Sequence, residues 1–66
     1  MKVTVNHVTI ELAESATLQD ALDAKGIAAD GVATAVNGTV IPRAKRQVHE
    51  LSDGDDIVVI KAFYGG

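Results

Sequence analysis

The alternation of apolar and polar residues in the first twelve positions changes phase once, and that change constrains everything downstream. Met1, Val3 and Val5 alternate with Lys2 and Thr4, while Val8, Ile10 and Leu12 alternate with Thr9 and Glu11. The shift falls across Asn6-His7. A two-residue turn there pairs Val5 with Val8, Val3 with Ile10 and Met1 with Leu12, which puts all six apolar side chains on one face. The other face carries Lys2, Thr4, Thr9 and Glu11. Such a hairpin is half-buried, and its apolar face needs a covering element.

That element follows at once. Thr17 is a good helix N-cap and Asp20, three residues on, makes a weak capping box. Leu18, Ala21 and Leu22 form the apolar stripe, and Gly26 is placed to end the helix in a left-handed cap. A helix this short needs the sheet to hold it. Asp30-Gly31 then turns the chain into the small-residue strand Val32-Ala33-Thr34-Ala35-Val36, and Asn37-Gly38 turns it again into Thr39-Val40-Ile41, stopped by Pro42. Arg43 to Gln47 is polar and basic and reads as a loop or one irregular turn, with Val48 and Leu51 as its apolar anchors. After the turn Ser52-Asp53-Gly54-Asp55, a last strand runs from about Asp56 to Phe63. It is apolar on both faces, Ile57 and Val59 on one and Val58 and Ile60 on the other, as central strands are. One helix covers one face of the sheet. The other face is expected to show an aliphatic patch near the C-terminus, unless the 43–51 segment hides it.

The expected fold is therefore α+β: a mixed sheet of four to five strands packed on one helix. Sixty-six residues make one small domain with a thin margin of buried surface. The chain has no cysteine, which excludes disulfides, thiolate metal sites and cysteine nucleophiles, so the 47% of hydrophobic residues must supply the core. A net charge of -3 argues against a generic nucleic-acid binder. Alternation begins at Met1 and leaves no room for a signal peptide, and no apolar run approaches the roughly 18–20 residues of a membrane span. A cytoplasmic protein with no membrane partner is expected.

The C-terminus carries the functional signal. Gly65-Gly66 ends the chain in a slim, unbranched α-carboxylate, and an apolar strand runs straight into it. The division expected is a domain over residues 1–62 and a flexible tail over 63–66. Glycine offers no side chain to obstruct an approaching reactant, and two glycines adopt whatever φ and ψ a partner's channel requires. Five extended residues, 62 to 66, reach about 17 Å. Both aromatic residues, Phe63 and Tyr64, stand directly before the pair. Phe63 packs under the sheet edge or meets a partner; Tyr64, one position further out, is the better candidate for a partner contact.

The order of elements, the run Val36-Asn37-Gly38-Thr39-Val40-Ile41-Pro42-Arg43, the run Leu51-Ser52-Asp53-Gly54-Asp55-Asp56-Ile57 and the Gly65-Gly66 end together resemble the ThiS family, the ubiquitin-like sulfur carriers of thiamine biosynthesis. The resemblance covers the whole chain. It implies a ubiquitin-like β-grasp fold. It also implies that a ubiquitin-activating-type adenylyltransferase uses ATP to adenylate the Gly66 carboxylate, that sulfur from a persulfide donor displaces AMP to leave a thiocarboxylate, and that a thiazole synthase takes the sulfur. On that reading Gly66 and Gly65 carry the sulfur, and Ala62, Phe63, Tyr64 and Arg43 contact partners. The chain is then a protein co-substrate and not an enzyme, binds no cofactor or metal of its own, and is monomeric when free. Two features depart from the family's pattern. Ala44-Lys45-Arg46 stands where a Trp often follows Pro-Arg, and Tyr64 stands before Gly-Gly where a small residue is usual.

The nearest alternative is the small subunit of molybdopterin synthase, which shares the fold and the thiocarboxylate but typically has a longer chain and a Pro-containing approach to Gly-Gly. A tRNA-thiolation or protein-conjugating relative is a further one, and a β-grasp binding module with an unmodified tail another. A catalytic site in the chain itself has little support. His7 and His49 have no third ligand at metal spacing and read as solvated. Asp53, Asp55 and Asp56 lack the closing Glu of a calcium loop, so a turn with solvated carboxylates is expected. No glycine-rich phosphate loop is present, which leaves the ATP site to a partner. The basic trio Arg43, Lys45 and Arg46 reads as a solvated loop, with Arg43 a candidate for docking an acidic partner surface.

Overall fold

The computed structural model describes residues 1–61. Strand β1 (Lys2–Val5) and strand β2 (Val8–Glu11) form the N-terminal hairpin, helix α1 (Leu18–Ala24) follows, and strands β3 (Val32–Val36) and β4 (Thr39–Ile41) form a second hairpin. A 3₁₀ turn at Arg43–Lys45 leads to the last strand, β5 (Asp56–Lys61). The five strands make one sheet in the order β2-β1-β5-β3-β4. β5 runs parallel to β1 and antiparallel to β3, and so is the central strand, as its two-sided apolar pattern predicts.

The hairpin register is the expected one, with Val5 opposite Val8 and Val3 opposite Ile10. Asn6 and His7 both hold left-handed φ, 49° and 69°, which is the backbone of a type I′ turn. Val3 and Val5 are buried, but Ile10 is half-buried and Val8 is 49% exposed, because β2 lies at the sheet edge beyond the reach of the helix. The helix is capped on both counts. Thr17 Oγ1 accepts from the Asp20 amide at 3.3 Å and Asp20 Oδ2 accepts from the Thr17 amide at 2.9 Å, a full reciprocal box. Gly26, at φ 66°, ends the helix in the left-handed region where a side chain would be strained. Leu18, Ala21 and Leu22 face the sheet with no exposed surface. Around them the core comprises Val3, Val5, Val36, Ile41, Leu51 and Ile57. Among the described residues no helix is long and apolar enough to cross a membrane.

The 43–51 segment corrects the sequence reading at two positions. Arg46 is not solvated: it is 2% exposed and reaches through the fold. Its Nε donates to Thr34 Oγ1 at 3.1 Å, one terminal nitrogen to the Ala29 carbonyl at 3.0 Å, and the other to the Val32 carbonyl at 2.7 Å. Thr34, itself buried on β3, donates onward to the Ile41 carbonyl at 3.0 Å. A guanidinium is the one cation whose fixed fork of donors satisfies three separated acceptors at once. Val48, by contrast, is 70% exposed and anchors nothing, whereas Leu51 is buried as expected. The segment lies on the helix side of the sheet, where Leu18 N–H donates to the His49 carbonyl, Gln19 N–H to the Arg46 carbonyl and Leu51 N–H to the Ala16 carbonyl.

Candidate functional site

Every sequence-derived site residue except Arg43 lies beyond the end of β5: Ala62, Phe63, Tyr64, Gly65 and Gly66 are outside the described residues, as is the expected continuation of β5 to Phe63. The structure does describe what leads to them. β5 pairs with β3 from Ile57 to Lys61 and with β1 at Asp56 and Ile57, and its Ile57 is fully buried, so the segment that precedes the terminus is anchored in the centre of the sheet. It is tied at its start by Asn37, whose Oδ1 accepts from the Asp56 amide at 3.0 Å and whose own amide donates to the Asp56 carbonyl at 2.8 Å.

The two faces of β5 have different surroundings. Ile57 and Val59 face the core. Val58 and Ile60 face the other way, and the ladder registers place Ala35 beside Val58, Ala33 beside Ile60 and Val40 beside Ala35. These five aliphatic residues form a continuous patch on the outer face, with Ile60 61% and Val40 70% exposed. The patch is the one expected from the sequence, and the 43–51 segment, packed on the opposite side, leaves it open. Val40 belongs to it although no reading of the chain singled it out. The signal was the Asn37-Gly38 turn, since a two-residue turn pairing Val36 with Thr39 necessarily sets Val40 against Ala35. The rest of the outer face, across β1 and β2, carries Lys2, Thr4, Thr9 and Glu11 and is polar.

Arg43 sits at the start of the 3₁₀ turn, largely exposed, with its guanidinium paired to Asp30. That pair occupies part of its donor fork without burying it. The acidic turn is exposed but not merely solvated. Asp53 accepts from the Lys2 amide at 2.7 Å, Asp55 from the Ser52 amide at 2.8 Å and from Asn37 Nδ2 at 3.0 Å, and Asp56 from Thr4 Oγ1 at 2.8 Å. These carboxylates fasten the entry of β5 to β1 and to the β3–β4 turn. Among the described residues no three His, Asp or Glu side chains are grouped to hold a metal ion. A hollow of about 460 Å³ opens beside Lys61, lined by Gly26, Ile27, Ala28, Asp30, Gly31 and Val32. Among the described residues its ionisable side chains are Lys61 and the Asp30 already engaged by Arg43.

Comparison with known proteins gives a consistent result. The model of the ThiS family matches residues 2–66. The chain is similar to the crystal structure of the thiamine biosynthesis protein ThiS from Geobacter metallireducens at 32% identity and a TM-score of 0.81, covering 100% of this chain and 99% of that one. The solution structure of a thiamine biosynthesis protein from the same organism matches at 32% identity and a TM-score of 0.76, covering 100% of this chain and 88% of that one. SAMP1 from Haloferax volcanii shares the fold at 18% identity and a TM-score of 0.66, covering 98% of this chain and 97% of that one. No curated protein matches the sequence. The mixed five-stranded sheet on one helix is thus the ubiquitin-like β-grasp.

Proposed function

This chain belongs to the ThiS family, and from that premise we propose that it is a ubiquitin-like sulfur carrier whose reactive group is its own C-terminal carboxylate. The Gly66 carboxylate attacks the α-phosphate of ATP in a partner adenylyltransferase, releasing pyrophosphate and forming an acyl-adenylate. A persulfide sulfur attacks the activated carbonyl and AMP departs. Reduction of the remaining S–S bond by a thiol frees the thiocarboxylate, which delivers its sulfur to a thiazole synthase. The chain acts as a co-substrate of these enzymes in the cytoplasm, and ATP is bound by the partner.

The observation that carries this reading is the coincidence of a whole-length family match with a Gly65-Gly66 end that closes five positions beyond the central strand β5. A rigid strand gives the terminus a fixed origin, and the glycines give it access. The outer aliphatic patch, contiguous with the end of β5, supplies a docking surface for the activating enzyme.

Incubation with ATP, a ThiS-activating enzyme and a persulfide source, followed by intact-mass spectrometry, tests the proposal. The expected product has one oxygen replaced by sulfur at Gly66, and a chain lacking Gly66 is expected to gain none. Sulfur uptake by the chain lacking Gly66 would refute the proposal. Supplying the product separately to a thiazole synthase and to a molybdopterin synthase large subunit identifies the acceptor, with transfer expected only to the former.

A further inference from the structure

Two asparagines of left-handed conformation, Asn6 at φ 49° and Asn37 at φ 50°, open the two tight hairpin turns, and both use their side chains on β5. They hold it at opposite ends and from opposite sides. Asn37 binds the start of β5 on the β3 side. Asn6 binds it near its end on the β1 side, where no strand remains to do so. Pairing of β1 with β5 ends at Val5 and Ile57, with Asn6 N–H donating to the Ile57 carbonyl at 2.9 Å, and the chain then turns back into β2.

Backbone groups along a strand face alternate sides, so Val59 presents its N–H and C=O to the space that β1 has vacated. The Asn6 carboxamide fills that space. Its Oδ1 accepts from Val59 N–H at 2.8 Å and its Nδ2 donates to the Val59 carbonyl at 3.3 Å. A side chain thereby supplies one residue's worth of strand pairing. Among the described residues it is the last hold on β5 from that side, while pairing on the β3 side continues to Val32 and Lys61.

We propose that Asn6 is a positioning residue for the chemistry at Gly66: its carboxamide sets the line along which β5 leaves the sheet. The proposal rests on the reading of Gly66 as the reactive terminus. A strand held from one side pivots about its single ladder, and a strand held from both does not. The chain beyond Lys61 takes its origin and direction from the end of β5, so a loosened β5 delivers Gly66 to the reacting position less often. A displacement of about 1 Å at a reacting group costs up to ~10²-fold in rate.

The test compares Asn6→Gly with Asn37→Gly. Glycine accepts the left-handed φ at either turn, so each variant keeps its turn and loses only its carboxamide. Adenylation by the activating enzyme is followed as pyrophosphate release over a range of carrier concentrations, at a temperature where thermal melts show both variants folded. In Asn6→Gly, kcat is expected to fall about 5- to 20-fold with KM within about twofold of wild type, because docking is intact and delivery is not. Amide exchange at Val59 is expected to quicken in the same variant. Asn37→Gly, which loosens the same strand at its far end, is expected to leave both constants unchanged. Should Asn6→Gly not fold, Asn6→Asp keeps the acceptor for Val59 N–H and loses the donor, and a smaller fall in kcat alone is expected. An unchanged kcat in the Asn6 variant, or an equal loss in both asparagine variants, would overturn the proposal while wild type remained active. A wild-type chain that released no pyrophosphate would instead overturn the reading of Gly66 and this proposal with it.

Discussion

Arg46 is the residue whose role differs most from what its type suggests. Its charge is buried, and among the described residues it is held by one hydroxyl and two main-chain carbonyls and by no carboxylate. Removing it orphans those acceptors, each of which costs about 1–3 kcal/mol when left unpaired in the interior. Arg46→Ala is therefore expected to lower unfolding free energy by about 2–4 kcal/mol, and Thr34→Val by about 1–2 kcal/mol, as measured by urea denaturation. The double variant should lose less than the sum, because the two share one bond. Little of this was legible beforehand. Arg43, Lys45 and Arg46 are alike as letters, and the acceptors that single out Arg46 are carbonyls of Ala29 and Val32, contributed by backbone whose side chains say nothing about them. The same holds for Asn6 and Asn37, whose turn-forming role is visible in sequence while their second use, on β5, requires the strand order.

At the scale of elements, the reading from sequence was far better, because periodicity reports directly on which face is covered. The phase change at Asn6-His7 gave the β1–β2 register residue for residue, and the two-sided apolar pattern of β5 gave its central place. What periodicity does not report is how far a single short helix reaches, which is why Val8 and Ile10 are less covered than Val3 and Val5. The reciprocal box at the start of α1 makes a specific expectation: Thr17→Ala removes the acceptor of the Asp20 amide and should cost about 1 kcal/mol by thermal or chemical unfolding. The outer face makes another. Ile60→Glu and Val40→Glu alter exposed positions and should leave stability within about 0.5 kcal/mol. Each should nonetheless raise KM for the activating enzyme about tenfold or more, if the patch is where that enzyme docks. Unchanged KM in both variants would place docking elsewhere.

On the scale of the whole molecule, every strand depends on β5. The β1–β2 hairpin and the β3–β4 hairpin touch the sheet's centre only through it. A chain ended after Lys61 retains all the described core residues and is expected to melt cooperatively near the full-length midpoint while accepting no sulfur. A marked drop in that midpoint would assign Phe63 to the core. A chain ended after Asp55 should show no cooperative transition, since Ile57 and both central ladders are gone. The strand order has a consequence for how the protein is made. Translation proceeds from the N-terminus, so the two hairpins and the helix emerge while the strand that must lie between the hairpins has not been synthesised. The nascent chain thus has two separate hairpins and no strand to join them into one sheet. Its collapse into the native form and the arrival of the residues that lead to Gly66 become nearly the same event, which ties quality control of the fold to completion of the end proposed to react.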